Sequence, residues 1–169
     1  MILAPTSGAV GIQPHGVNAR CVNRSGGALA IGDVVVTSFA HTSPNAVYPP
    51  TTTAELSQSP FACVVKADGN TSTPGYIGVV TGLGSQSGAE LSEVEVQFGG
   101  VVKAKVTATT ANVVMGTVLS ISDGAGAFGN PDAASSTYPA AISLGSVTAG
   151  STESVNVLVN SSLWFYADV

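Results

Sequence analysis

Glu93-Val-Glu-Val-Gln-Phe-Gly-Gly-Val-Val-Lys-Ala-Lys-Val-Thr107 carries two faces that do not mix. Val94, Val96, Phe98, Val102, Ala104 and Val106 hold even positions, whereas Glu93, Glu95, Gln97, Lys103 and Lys105 hold odd ones. Successive side chains of a strand point to opposite sides, so the stretch reads as β-structure with one face in a core and the other in water. The same parity constrains the passage through Gly99-Gly100. A two-residue turn would set Phe98 against Val101 and Val96 beside Lys103, placing charge on the core face. An odd-length connection instead pairs Phe98 with Val102 and brings Glu95 diagonally beside Lys103 and Glu93 diagonally beside Lys105, each such cross-strand ion pair contributing about 0.2–1 kcal/mol. A single strand bent at the two glycines has the same parity. The hairpin with a bulge is the preferred reading, although a three-residue loop asks for a left-handed residue near Val101, which a β-branched side chain resists.

Outward from this stretch, the apolar segments stay short, rich in Val and Thr, and punctuated by Gly, with no helical periodicity. Strands are expected over 19–22, 31–37, 61–66, 76–81, 94–98, 101–107, 117–121, 142–147 and 155–159. Short strands with Gly turns suit an all-β fold, a β-barrel or sandwich of short antiparallel strands. An internal echo runs through them. Val22, a Gly ten positions on at Gly32 and a strand correspond to Val106, a Gly ten positions on at Gly116 and a strand. The echo continues from Ile77-Gly-Val-Val-Thr81 to Leu144-Gly-Ser-Val-Thr148, and from Val94-Glu-Val96 to Val155-Asn-Val157. A chain rich in Gly and Val also matches itself by chance, so the echo is compatible with two related β-units or with composition alone.

Composition then bounds the function. The 169 residues include 20 Gly and are 44% hydrophobic, yet carry only 5 basic and 10 acidic side chains. A surface with so little charge and no apolar run of the ~20 residues a membrane helix needs is expected to be hidden against other protein. A net charge of −5, with Arg20, Arg24, Lys66, Lys103 and Lys105 as the only basic residues, argues against nucleic-acid binding. The first residues lack the basic and apolar regions of a signal peptide, so Cys21 and Cys63 are expected as reduced thiols rather than a disulfide. The sequons at Asn23, Asn70 and Asn160 are discounted, because Ser and Thr are abundant throughout.

Three segments lack strand periodicity: 1–17, 39–60 with four of the nine prolines, and 123–139. The expected organisation is an extended N-terminal arm over 1–17, a β-barrel domain over 18–160 with an excursion at 39–60, and an aromatic C-terminal tail over 161–169. Connections beyond about 15 residues tend to be functional, and terminal aromatics need something to pack against. Candidate interface residues are therefore Ile2, Leu3, Ile12, His15 and Tyr48, with Leu163, Trp164, Phe165 and Tyr166 in the tail.

Chemistry has little to draw on. His15 and His41 lie outside any ligand spacing, and Asp33, Asp68 and Asp123 sit where turns use them. Asp123, Asn130 and Asp132 could be drawn around calcium, yet they lack the loop that ends in a bidentate Glu. No nucleophile elbow, phosphate loop or dinucleotide fingerprint occurs, so no enzyme, cofactor or metal is expected. A carbohydrate-binding module is the rival reading, with Tyr48, Tyr76, Tyr138 and Trp164 as rings to stack on a sugar, against the simpler reading of core or interface aromatics.

Asn23-Arg-Ser-Gly26, Leu29-Ala-Ile-Gly-Asp-Val-Val-Val36, Ile77-Gly-Val-Val80, Val94-Glu-Val-Gln-Phe-Gly-Gly-Val-Val102 and Val113-Val-Met-Gly-Thr-Val-Leu119 together resemble the capsid decoration, or cement, proteins of tailed bacteriophages. The similarity covers about residues 18–160, through motifs that are mostly Gly and Val. It departs from the simpler members in the 39–60 excursion and the aromatic tail. The resemblance implies a β-barrel protein, commonly a homotrimer, made in the host cytoplasm. It would sit on the outer surface of the virion head and brace the major capsid protein against internal pressure. A fibre- or tail-associated module of a virion or cell surface is the further alternative.

Overall fold

A computed structural model of the chain describes residues 17–38, 63–67, 76–84, 87–121, 126–130 and 139–159. Among them are ten strands and no helix. The first five are β1 (Asn18–Asn23), β2 (Val34–Ser38), β3 (Cys63–Lys66), β4 (Ile77–Leu83) and β5 (Glu93–Gln97). They close into a barrel in the order β1-β3-β2-β4-β5, with β5 returning to β1. The last five are β6 (Gly100–Ala108), β7 (Val118–Ile121), β8 (Phe128–Gly129), β9 (Ala141–Ser143) and β10 (Ser151–Val159). They close in the order β6-β8-β7-β9-β10, with β10 returning to β6.

The two barrels have the same connectivity and the same strand senses. β1 and β3 run parallel, as do β6 and β8, and every other pairing is antiparallel. The fold is thus all-β and built of two related β-units, with a parallel pair in each that the antiparallel expectation did not contain.

Local hydrogen bonds show which residues of the units correspond. Gly32 N–H donates to Val80 O and Gly116 N–H to Ser143 O, both at 2.8 Å, from glycines with φ of +87° and +88°. Ala30 N–H donates to the Asp33 carboxylate at 2.9 Å, and Val114 N–H to the Thr117 hydroxyl at 3.1 Å. Ser92 Oγ bonds Ala89 O and Ser151 Oγ bonds Thr148 O, each at 2.6 Å. The echo of Leu29–Val36 in Val113–Ser120 therefore has the register expected, but two others shift. Val80 corresponds to Ser143, not to Val147, and Val94 corresponds to Glu153, not to Val155, because Cys21 pairs with Val94 where Val106 pairs with Glu153. The first strands also slip by one residue, since Leu91 N–H reaches Asn23 O where Gly150 N–H reaches Ala108 O.

The preferred hairpin across Gly99-Gly100 is not formed. β5 pairs with β1 and β4, β6 pairs with β10 and β8, and the two glycines carry the chain from one barrel into the other. Gln97 Nε2 straps the crossing by donating to Gly99 O at 2.7 Å and Val101 O at 3.1 Å. Parity survives, because a chain passing straight on keeps the alternation that a bulged hairpin keeps: Val94 and Val96 enter the first core, Val102, Ala104 and Val106 the second. The positive φ falls on Gly100 (+78°), which avoids the strain anticipated at Val101. The pairs Glu95–Lys103 and Glu93–Lys105 are accordingly absent: Glu95 lies opposite Arg20, Lys103 opposite Asn156 and Lys105 opposite Ser154.

Other strands differ at their ends. β2 begins at Val34 rather than residue 31 because the Gly32 turn precedes it, and β9 stops at Ser143, leaving Val147 only an isolated bridge to Val113. β8, two residues long, was not anticipated.

The core lies in two parts. Cys21, Leu29, Val35, Val64, Val80, Val94 and Val96 fill the first barrel. Val34, Val36 and Val79, on the opposite faces of β2 and β4, instead join the cluster formed by the second barrel, with Ile77 packed against it. Strands covered on both sides read as unbroken apolar runs, which explains Val34-Val-Val36 and Val79-Val80. Each buried valine contributes roughly 1.5–2 kcal/mol.

Candidate interaction surfaces

The expected interface residues Ile2, Leu3, Ile12, His15, Tyr48, Leu163, Trp164, Phe165 and Tyr166 all lie outside the described residues, as do most of the N-terminal arm, the 39–60 excursion and the aromatic tail. Asp68, Asp123, Asp132, His41 and Tyr138 lie outside them too. Asn130, from the calcium reading, donates through Nδ2 to Ala111 O at 3.0 Å. Among the described residues no cluster of three His, Cys, Asp or Glu side chains is placed to hold a metal ion, and no helix is long and apolar enough to cross a membrane.

Charge is concentrated where the barrels meet. Asp33, 2% exposed, receives Lys105 Nζ on one carboxylate oxygen and stands 3.3 Å from Lys66 Nζ through the other, which also caps Ala30 N–H. Lys105 N–H, directed away from β10, donates to Gly32 O at 2.9 Å. Val34 N–H donates to Gly126 O and Gly126 N–H to Ala67 O, so second-barrel backbone threads between first-barrel strands. The turn role expected of Asp33 is present, together with an inter-barrel role that the local sequence does not signal. On the outer wall of the first barrel, Arg20 approaches Glu93 at 3.9 Å with both side chains well exposed, an arrangement worth little.

The buried polar groups serve structure. Asn23 is fully buried: its Nδ2 donates to Gly27 O at 2.7 Å and Gly88 O at 2.8 Å, and its Oδ1 accepts Ser25 N–H. A side chain so enclosed is no acceptor for a glycan. Cys21 and Cys63 lie on neighbouring strands as thiols, with no disulfide between them. Cys63 pairs in register with Val22, so it shares Val22's face of the sheet while Cys21 points into the core. Burial, and after it the Cys63 thiol, push the Cys21 thiol up to about 12, which leaves it un-ionised and inert near neutrality.

What the described surface offers instead is apolar. Ile31 (59% exposed) tips the Gly32 turn, and Val114 (55%) and Met115 (70%) tip the corresponding Gly116 turn. Beside the second tip, pairing aligns Val101, Leu158, Ile142 and Val118 in one row across β6, β10, β9 and β7. Val101 and Val118 are exposed and the two between them half-buried. Tyr76, at the start of β4, is 65% exposed. Sequence reading did not single out these tips or this row, because Ile31 falls in the strand expected over 31–37, Met115 precedes the one expected over 117–121 with no signal of its own, and a row across four strands is visible only once their order is known.

No protein-family model matches the chain, and no curated protein matches it in sequence.

Proposed function

We propose that the chain is a non-enzymatic virion structural protein that decorates and stabilises the outer surface of an icosahedral phage capsid as a cement protein, assembling as a homo-oligomer, with three copies the expected number. The observation that carries this reading is the repeated apolar tip: each barrel presents a solvent-exposed aliphatic turn, Ile31 on one and Val114-Met115 on the other. Both are held by the same backbone bonds on a closed and therefore rigid body. Several such tips on one oligomer would engage a repeating shell with avidity, each contact being weak alone. The resemblance set out above supplies the class of partner, the major capsid protein.

The decisive measurement is the mass of the purified protein alone and after mixing with empty capsids. An oligomer that co-sediments with shells is expected; a monomer that binds none would overturn the reading.

Tyr76 favours one second reading, a carbohydrate-binding or fibre-associated β-module, since an exposed ring on a barrel can stack on a sugar. Glycan-array binding by the isolated protein, lost in Tyr76→Ala, would select it.

A further inference from the structure

The two barrels are the same unit, yet one surface of that unit is covered in the first barrel and bare in the second. In the first, Gly32 is buried, and a Cβ built on it would meet Lys105 and Ser154 of the second barrel at 3.7–3.8 Å. In the second, the corresponding Gly116 is exposed, with nothing within 4 Å. Val34 is fully buried, whereas its counterpart Val118 is 43% exposed. Val79 is fully buried, whereas its counterpart Ile142 is only half-buried. The surface that covers the first barrel's turn is the wall of the second at Lys105 and Ser154; its counterpart on the first barrel is the wall at Arg20 and Glu95, which is likewise exposed.

We infer that the bare face of the second barrel, centred on Gly116, Val118 and Ile142, is a self-association surface that receives the first barrel of a second copy of this chain at Arg20 and Glu95, repeating between chains the joint that each chain already contains. Within a chain, Lys105 N–H and Gly32 O form a backbone bond across the joint. Arg20 N–H is equally directed away from β5: Phe98 N–H bonds Val17 O and Asn23 N–H bonds Ser92 O, so the bonded positions of β1 are the odd ones. Between chains, Gly116 O would accept Arg20 N–H. Such a joint is heterologous, one surface meeting a different one, and successive copies close into a ring if the rotation allows.

One element is not repeated. Thr117 stands where Asp33 stands, so the ion pair to Lys105 has no counterpart across the proposed joint. Association therefore lacks that ionic anchor and rests on the apolar face at Val118 and Ile142, on the stems of the wall's side chains and on backbone bonding. The occupant is independent of capsid attachment, because only copies of this chain take part.

The repeat logic makes a sharp distinction between neighbours. Ile31 stays 59% exposed although its turn is docked, so its counterpart Met115 stays outside the joint, whereas Val118 lies in it. The test measures the self-association of the full-length protein by sedimentation across a concentration range. Val118→Glu should weaken association by on the order of a hundredfold, and Met115→Glu should leave it within a few-fold of the parent. Circular dichroism and thermal melting of both variants must match the parent; Val118→Ala, with a smaller loss of association, replaces Val118→Glu if the charged variant misfolds. A photoreactive side chain at position 117, in a mixture of heavy- and light-isotope chains, should capture the Arg20 segment of the other copy. A monomeric parent, a Met115→Glu effect larger than that of Val118→Glu, or capture of position 117 by position 117 would each overturn the inference. Loss of capsid binding with self-association intact would overturn only the proposed function.

Discussion

Asp33 does three things with one carboxylate: it caps the turn at Ala30, receives Lys105 from the second barrel and stands beside Lys66. Its counterpart Thr117 keeps only the cap. Asp33→Thr therefore separates the roles, retaining the turn while leaving Lys105 without its partner. The expected loss is about 2–3 kcal/mol in chemical denaturation, less than for a fully buried pair because both lysines keep part of their side chains in water. Its turn role was legible from Gly32-Asp33, whereas its ionic partners are remote in sequence and only the fold brings them near. Cys21 gives a pH dependence. The folded thiol keeps its proton up to about 12, while the unfolded thiol releases it near 9.0, so the folded state binds more protons in between. Stability should be unaffected by this group below pH 9 and fall as pH rises toward 12, by up to about 1.4 kcal/mol per pH unit. Urea titrations at pH 8 and pH 10 check the sign, and Cys21→Ala should flatten the fall.

Among the elements, β8 shows how little of a strand is needed once its side chain is right. It has two residues, yet it pairs parallel to β6 and antiparallel to β7, closing the second barrel. Phe128, fully buried, anchors it. Phe128→Ala should cost about 3–5 kcal/mol, read as a shift in the denaturation midpoint, with greater loss of barrel closure than an equivalent change at a rim residue such as Val101. Nothing in Phe128-Gly129 announces a strand, because period-two patterning needs four residues or more to show itself. The longer strands were legible for the opposite reason. β6 alternates without a break over Gly100–Ala108, and β2 and β4 betray burial on both faces through unbroken valines. The failed hairpin marks the boundary: Glu93–Thr107 determines which side chains go inward, and two different paths through Gly99-Gly100 satisfy it equally.

For the whole molecule, the arrangement is a pair of like barrels joined face to wall, with an ionic anchor, shared backbone bonds and one continuous apolar cluster between them. A joint with so many independent ties makes the pair one rigid body. The proposed cement role then places further apolar contacts on the aromatic tail. If Trp164 packs in an interface between protein molecules, Trp164→Ala should weaken oligomer formation or capsid binding by about 2–4 kcal/mol while the melting of the isolated chain stays unchanged. Equal affinity and equal mass in the variant would return Trp164 to an ordinary packing role. The scarcity of charge is coherent at this scale, since Asp33, Lys66, Lys105, Arg20 and Glu93 are engaged with one another and the exposed turns are aliphatic.

The sequence by itself determined the all-β character, the inward and outward faces of Glu93–Thr107 and the register of the turns at Gly32 and Gly116. These depend on interactions within a few residues, on side-chain alternation and on the backbone freedom of glycine. The tertiary structure alone decided which strands are neighbours, that Gly99-Gly100 crosses between barrels instead of turning back, and that the echo is a true duplication. It also decided that Asp33 holds two lysines and that one copy of a repeated face is covered while the other is bare. Strand order and burial are set by contacts between residues far apart in the chain, and alternation carries no information about which partner a face will meet.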